Sequence, residues 1–185
     1  MIYGTKVASI TIPKNVKNGY LDGYSIGSLG GCEYLKEIIF EEGIEAIPEY
    51  IASRAEKVER VVIPSSVKKI GDMAFYQTKR LSQITLPEGL TIIEGSAFSE
   101  SGLTNVVIPG TITRVEDYAF RASQLTSVTF TEGDEYTKAT IGSYVFEECE
   151  KLETVELSDN ITSIGCRMIY GTKVASITIP KNVKN

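Results

Sequence analysis

Histidine and tryptophan are absent from the 185 residues of the chain. Without histidine there is no Ser-His or Cys-His nucleophile, no imidazole ligand for a metal, and no side chain that ordinarily titrates near neutral pH. No apolar run approaches the ~18–20 residues that a membrane-spanning helix needs. These absences argue against an enzyme, and we expect neither a cofactor, nor a bound metal, nor insertion into a membrane.

Cysteine is scarce as well: Cys32, Cys149 and Cys166 are the three copies. An odd number does not form a closed disulfide framework, and no Cys-x-x-Cys pair supports a zinc or redox site. We expect Cys32 and Cys149, which stand at small-residue positions of the repeat described below, to be buried structural thiols. Cys166 is the candidate for an exposed thiol.

Positive charge is in deficit, with 19 Lys and Arg against 24 Asp and Glu and a net charge of −5. This balance argues against nucleic acid or an anionic membrane as a partner. Apolar residues make up 42% of the chain and charged residues 23%, as in an average soluble globular protein. The first ten residues lack the apolar core of a signal peptide, so we expect any export signal to lie outside this chain.

A short pattern recurs along the whole chain. It reads VERVVIPSSVKKIGDMAF from Val58, LSQITLPEGLTIIEGSAF from Leu81 and LTNVVIPGTITRVEDYAF from Leu103. Successive openings are separated by 28, 23, 23, 22, 22, 27 and 22 residues, which is the signature of a solenoid. We expect one solenoid over residues 1–185, with its last repeat truncated and its repeats opening at Val7, Leu35, Val58, Leu81, Leu103, Leu125, Leu152 and Val174.

Each repeat has three parts. Apolar residues two apart predict a strand with one buried face, and a following proline, which lacks an amide donor, ends that strand. A second apolar pair turns the chain back along the other side. The closing Ile-Gly-x-x-Ala-Phe predicts a single α or 3-10 turn that returns Ala and Phe to the core. Because one repeat cannot bury its own apolar side, the phenylalanines of successive repeats should stack in one column: Phe75, Phe98, Phe120 and Phe146.

The proline and the Ala-Phe pair together resemble the BspA-like class of leucine-rich repeats, whose unit reads LxxIxIPxxVxxIGxxAFxxC. The resemblance covers nearly the whole chain. It implies a β-rich α/β fold: a right-handed leucine-rich-repeat solenoid with a parallel sheet on one face and short α or 3-10 turns between strands. It also implies adhesion or host-protein recognition, at the cell surface or outside the cell.

Residues 1–18 recur without a single change as residues 168–185. The identity includes solvent-facing positions such as Lys6 and Lys173, which a structural requirement does not preserve. A recent duplication within a 167-residue superrepeat and deliberate construction both explain it. In either case the first strand of one molecule matches the last strand of another. An alternative function is therefore a structural module that joins head to tail into open filaments, while simple fraying of the terminal strands fits the sequence equally well.

The strand positions between the buried ones should line the outer face of the sheet. They combine small polar and β-branched residues with few strong charges, which suits a broad surface for a protein or glycan ligand. An ordinary solvated face fits the same pattern. The candidate ligand-binding residues on this face are Glu37, Arg60, Val62, Gln83, Thr85, Asn105, Val107 and Thr129.

Both long repeats expand at the same point, between the first strand and the Ile-Gly turn. Glycine and aspartate in the inserts suit turns, and tyrosine is a frequent contact residue at interfaces. We predict recognition loops, although decorative surface loops fit the same composition, and no calcium-loop spacing is present. The candidate contact residues in the loops are Tyr20, Asp22 and Tyr24 in the first insert and Asp134 and Tyr136 in the second.

Adjacent carboxylates such as Glu147 and Glu148 raise the question of general acid–base chemistry. A glycosidase needs two carboxylates that converge across a cleft, whereas we expect these to stand in turns and point to solvent. The sequence as a whole therefore predicts a non-catalytic module that binds a protein or a glycan.

Overall fold

Short parallel strands, stacked coil upon coil, form the walls of the structure. The computed structural model describes residues 6–16 and 29–184. The repeats form successive coils of a β-solenoid, and their strands lie on two walls. The strands are β1 (Ser9–Ile12), β2 (Glu37–Phe40), β3 (Ala46–Ile47), β4 (Arg60–Val62), β5 (Lys69–Ile70), β6 (Ile92–Ile93), β7 (Asn105–Ile108), β8 (Arg114–Val115), β9 (Ser127–Phe130), β10 (Ala139–Ile141), β11 (Thr154–Glu156) and β12 (Ile161–Ile164).

The two walls differ in continuity. The second apolar pair of each repeat builds one six-stranded parallel sheet in the order β12-β10-β8-β6-β5-β3. The first strands build the other wall, which is divided into two three-stranded parallel sheets, β1-β2-β4 and β11-β9-β7. Prolines follow the strands of this divided wall as predicted: Pro13 comes directly after β1 and Pro109 directly after β7. The outer face is therefore two sheets, where the sequence predicted one.

The division falls at residues 81–87, which form no strand. It coincides with a change in the length of the link between one arch and the next coil. Lys79 and Arg80 form the link before Leu81, whereas Gly102 alone forms the link before Leu103. A Cβ on Gly102 would lie 2.3 Å from the carbonyl oxygen of Lys79, so there is no room for a side chain at this position. The register at the start of the coil is nevertheless kept, because the amide of Thr104 donates to the carbonyl of Ser82 (3.1 Å).

The Ile-Gly-x-x-Ala-Phe segments form tight arches and not helical turns, and no helix occurs within residues 6–16 and 29–184. In the arch after β5, the amide of Ala74 donates to the carbonyl of Gly71 (3.2 Å), closing a four-residue turn. The amide of Met73 donates instead to Gly95 of the next coil (3.0 Å), and that of Phe75 to Ala97 (2.8 Å). Alternate amides thus bond along the solenoid axis, as in a sheet, and the arches form a third ladder.

Two residues in each described arch have a left-handed backbone conformation. Met73 and Gln77 have φ of 49° and 57°, a region that costs a residue with a Cβ roughly 1–2 kcal/mol. The hydrogen bonds to the neighbouring coil offset that cost, since they leave few arch amides unpaired. The same two arch positions have positive φ in the other coils: Tyr50 and Arg54, Ser96 and Glu100, Tyr118 and Ala122, Tyr144 and Glu148, and Arg167 and Gly171.

The predicted phenylalanine column is confirmed. Phe75, Phe98, Phe120 and Phe146 are fully buried. Their ring centroids are 5.3, 5.2 and 5.7 Å apart along the column, with interplanar angles of 13°, 10° and 26°. Each ring buries its faces against its neighbours, so the column is a main source of packing energy, about 1.5–3 kcal/mol per buried ring.

The column ends differently on its N-terminal side. Ala52 occupies the phenylalanine position of the coil that contains β2 and β3. The ring of Phe40, at the end of β2, packs edge-on against Phe75, with centroids 6.3 Å apart and planes at 87°. A residue from the opposite wall thereby closes the column, which the repeat pattern did not predict.

Small side chains form a second buried column beside the phenylalanines. Thr78 donates its hydroxyl to the carbonyl of Phe75 (2.7 Å), and the Cys149 thiol donates to Phe120 (3.2 Å). Ser101 holds the same position, but its Oγ is buried with no hydrogen-bond partner among the described residues. This orphan hydroxyl is a local defect in the core.

Candidate functional site

The sequence-predicted residues on the first outer sheet are bonded to one another. Glu37 and Arg60 lie opposite each other in the register of β2 and β4 and form an ion pair. Ser9 of β1 donates its hydroxyl to Glu37 at 2.7 Å. The hydrogen bond from Ser9 and the Arg60 guanidinium together lower the pKa of Glu37. Because these groups already have partners, a ligand would have to compete with them.

The other predicted face residues before β7 are less organised. Val62 is half-buried at the end of β4. Gln83 and Thr85 are exposed, but they belong to the segment that forms no strand. They are not held on the ladder that fixes the positions of their neighbours.

The second outer sheet presents the better-ordered surface. Asn105 and Val107 of β7 lie opposite Ser127 and Thr129 of β9. Val107 is 56% exposed, and Thr129 donates to a carboxylate oxygen of Glu156 on β11 at 3.2 Å. Regular strands thus hold Asn105, Val107 and Thr129 in a fixed arrangement on the outer face.

The second insert leaves this sheet directly after β9. Asp134 folds the insert, since its Oδ1 accepts from the amide of Tyr136 (3.0 Å) and from both the amide (2.7 Å) and hydroxyl (2.8 Å) of Thr137. The bonds from Thr137, with that from Tyr136, lower the pKa of Asp134. Asp134 is therefore a structural residue of the loop, while Tyr136, 82% exposed, is the side chain that the loop presents.

A groove of about 700 Å³ lies between this insert and the last two coils. Gly133, at the start of the insert, packs closely against the backbone of Gly110 in the preceding coil. Asn160 of the following coil donates from Nδ2 to the carbonyl of the same Gly110 (3.2 Å). Charges of both signs line the groove. Its charged residues are Glu132, Asp134, Glu135, Lys138, Asp159, Lys181 and Lys184.

The first insert, with candidates Tyr20, Asp22 and Tyr24, lies outside the described residues. Of the loop candidates, Asp134 and Tyr136 can therefore be placed. They lie at the same end of the molecule as Thr129, because only four residues separate Thr129 from Asp134. The second insert thus follows the strand that carries Thr129.

The arches carry interactions that the sequence did not reveal. Arg121 pairs with Glu147 (Nε to Oε2, 3.0 Å) and also with Glu148 of the next arch. Glu147 is buried, so the expectation that it points to solvent is wrong. Tyr118 and Tyr144 stack with centroids 4.9 Å apart and planes at 3°. Pairs 26 residues apart become visible only once the coil register is known.

The cysteines lie as expected. Cys32 and Cys149 are buried, and burial raises the pKa of both thiols. Cys166 is exposed, and hydrogen bonds from the hydroxyls of Ser143 and Tyr144 lower its pKa. These two hydrogen bonds lower the pKa of Cys166 more than the charge of the adjacent Arg167 does.

Within the described part of the chain, no cluster of three or more cysteine or acidic side chains is placed to hold a metal ion. None of its segments forms a helix long and apolar enough to cross a membrane.

A family model for the BspA type leucine-rich repeat region matches the sequence in six copies, over residues 1–126 and 115–185. The chain belongs to the BspA-type leucine-rich repeat family. No curated protein matches the sequence significantly.

Solved structures of bacterial leucine-rich repeat proteins share the fold. The T. pallidum protein TpLRR superimposes with a TM-score of 0.67 at 20% identity, over 87% of this chain and 73% of its own. A protein from Bacteroides ovatus gives 0.60 at 25% identity, over 95% of this chain. The pneumococcal vaccine antigen PcpA gives 0.52 at 18% identity, over 96% of this chain. This chain spans about half the length of the last two, 52% of each.

Membership in the BspA-type family identifies the chain as a binding or scaffold repeat module. The family fold presents a broad, rigid surface, and folds of this kind are typically non-enzymatic.

Proposed function

We propose that this BspA-type chain is a non-catalytic binding module that recognises a protein ligand, in adhesion or host recognition at a cell surface. The binding surface comprises the second insert and the adjoining strand face, with Tyr136, Val107, Asn105 and Thr129 as contact residues. The observation that carries the proposal is the presentation of Tyr136, 82% exposed, by a loop that Asp134 holds in place with three hydrogen bonds.

An ordered loop favours binding because its side chains lose little conformational freedom when the ligand arrives. Tyrosine supplies a large contact area with few rotatable bonds and is enriched among energetically dominant interface residues. The strand face beside the loop adds Val107, 56% exposed, on a hydrogen-bonded ladder. The proposed surface therefore combines an exposed apolar side chain on a regular strand with an exposed aromatic side chain on an ordered loop.

The mixed charge of the adjacent groove suits a folded protein partner. Lys138, Lys181 and Lys184 line it together with Glu132, Glu135 and Asp159. Complementary charges of both signs fix the orientation of a protein ligand more than they add affinity.

The test is binding of the purified chain to immobilised extracellular matrix proteins, with a glycan array as the second arm. Tyr136→Ala should weaken binding to the matrix protein by about tenfold or more, since a dominant interface residue contributes at least that much. Tyr34→Ala is the matched control, because Tyr34 is exposed but lies at the other end of the chain. Binding only to glycans, no binding at all, or binding that Tyr136→Ala leaves unchanged contradicts the proposal.

A further inference from the structure

The two identical segments occupy opposite ends of the solenoid in equivalent positions. We call residues 6–16 the N-terminal copy and residues 173–183 the C-terminal copy. The N-terminal copy precedes the coil of β2, with Ser9 opposite Glu37. The C-terminal copy follows the coil of β11, with the amide of Lys173 donating to Leu152 (2.9 Å). Within the described residues, each copy therefore packs on one neighbouring coil.

The same sequence is held more tightly at one end than at the other. In the N-terminal copy, residues 9–12 form strand β1, and Ile12 is 5% exposed. In the C-terminal copy, the corresponding residues form no strand, and Ile179, the counterpart of Ile12, is 51% exposed. Both copies form the same turn after the proline. The amide of Val16 donates to the carbonyl of Pro13, and the amide of Val183 donates to the carbonyl of Pro180 (3.1 Å each). The C-terminal copy is therefore the one that detaches more easily from its neighbouring coil.

We propose that two molecules join head to tail by strand exchange: the N-terminal copy of one molecule displaces the C-terminal copy of another from the coil of β11 and β12. The incoming residues are identical to those that leave, so each lost contact can be remade. Lys14 takes the place of Lys181, which pairs with Asp159 (3.4 Å), and Asn15 takes the place of Asn182, which donates to the Asp159 carbonyl (2.6 Å).

Exchange also adds contacts that neither separate molecule has. Among the described strands, β1 pairs with β2 alone and is the edge of its sheet, and β11 is the edge of the other outer sheet. In the joined pair the incoming β1 lies between β11 of one molecule and its own β2. Two exposed edges disappear, and such edges are the usual sites of strand addition.

Simple end-on stacking of the two copies is less favourable. Stacking identical parallel segments in register places like residues opposite each other, about 4.7–4.9 Å apart. Lys6 would face Lys173, and Lys14 would face Lys181. Like charges directly opposite each other are destabilising, whereas exchange leaves one copy at each junction and avoids them.

The joined contact uses different surfaces of the two molecules, so it does not close and can extend into filaments. Exchange leaves seven coils per molecule and stacking leaves eight. At about 4.8 Å per coil, the axial repeat is roughly 34 Å for exchange and roughly 38 Å for stacking. The groove is rebuilt by the same residue types, so assembly is independent of the proposed ligand binding.

The sequence identity allows a matched pair of variants for the test. Ile10 and Ile177 are the same residue in the two copies, and both are partly buried against the core. Ile177→Asp loosens the copy that must leave, and Ile10→Asp damages the copy that must enter. Sedimentation velocity from micromolar to millimolar concentration should show wild-type assembly, assembly of Ile177→Asp at about tenfold lower concentration, and none for Ile10→Asp.

A synthetic peptide of residues 168–185 should inhibit wild-type assembly, and a scrambled peptide should not. Circular dichroism checks that both variants remain folded. If one variant does not fold, inhibition of wild-type assembly by the peptide still tests the proposal. A strict monomer for wild type and Ile177→Asp overturns the proposal. An equal loss of assembly in both variants, or a filament repeat of roughly 38 Å, also overturns it in favour of stacking. Tyr136→Ala should leave assembly unchanged, which separates this result from the ligand-binding test.

Discussion

Replacing Phe98 by alanine should be among the most destabilising single substitutions in the chain. Phe98 is fully buried and stacks on Phe75 (5.3 Å) on one face and Phe120 (5.2 Å) on the other. The surrounding backbone cannot collapse into the space, because the amides of Phe75 and Phe98 bond to neighbouring coils at 2.8 and 2.7 Å. A cavity that cannot relax places the loss near the upper end of the usual range, about 5 kcal/mol.

Phe146 provides the matched comparison. It stacks on Phe120 alone, at 5.7 Å and 26°, and lies nearer the C-terminal end of the column. Phe146→Ala should therefore cost less, about 3 kcal/mol. Phe98→Leu, which keeps most of the apolar volume, should recover most of the stability that Phe98→Ala loses.

Urea-induced unfolding measures these differences, followed by far-ultraviolet circular dichroism and by tyrosine fluorescence, which tryptophan does not obscure in this chain. Since each coil contacts only its neighbours, Phe98→Ala should also divide the transition or reduce its dependence on urea. Equal losses for Phe98→Ala and Phe146→Ala, or a loss below about 2 kcal/mol for Phe98→Ala, would refute the stacking argument.

Three further predictions concern local chemistry. Ser101→Ala should raise the free energy of unfolding by about 1 kcal/mol because it removes a buried hydroxyl without a partner; a loss of stability in urea unfolding would show that the hydroxyl is satisfied. In the folded chain a thiol reagent should modify Cys166 alone, with three thiols reacting in denaturant, and Ser143→Ala should move the alkylation profile of Cys166 to higher pH. The order of the second insert should persist above the usual aspartate pKa of 3.8 and be lost as pH falls through the lower pKa of Asp134 in the folded chain. Nuclear magnetic resonance of Asp134 tests this, and Thr137→Val should raise its pKa.

The repeat pattern predicted more of the core than of the surface. Phe75 and Phe98 could be assigned to one column because the period of the sequence sets which residues meet between coils. Arg121, Glu147 and Glu148 could not be paired in advance, since their contact depends on the register and on the length of the insert between them. In the same way, Glu37 was a candidate ligand-binding residue until the register placed Arg60 opposite it.

The arches show why local pattern can mislead. Apolar residues at the fourth and fifth positions after Ile70 fit a helical turn, and Ala74 and Phe75 do return to the core. A helix, however, requires amides to bond within the segment, and here the amide of Phe75 bonds to Ala97 of the next coil. The side-chain pattern records burial and does not record the partner of each amide.

The repeated sequence is enough to predict the solenoid, its period, the phenylalanine column and the match between the two ends, because burial of a repeated apolar side requires stacking in register. Only the tertiary structure shows the left-handed arches, the divided outer wall and the ordered insert that presents Tyr136. It also shows that the two identical segments differ in burial, with Ile12 buried and Ile179 exposed. The physical reason is that hydrogen bonding and burial at each position depend on the neighbouring coil, which a single repeat does not contain.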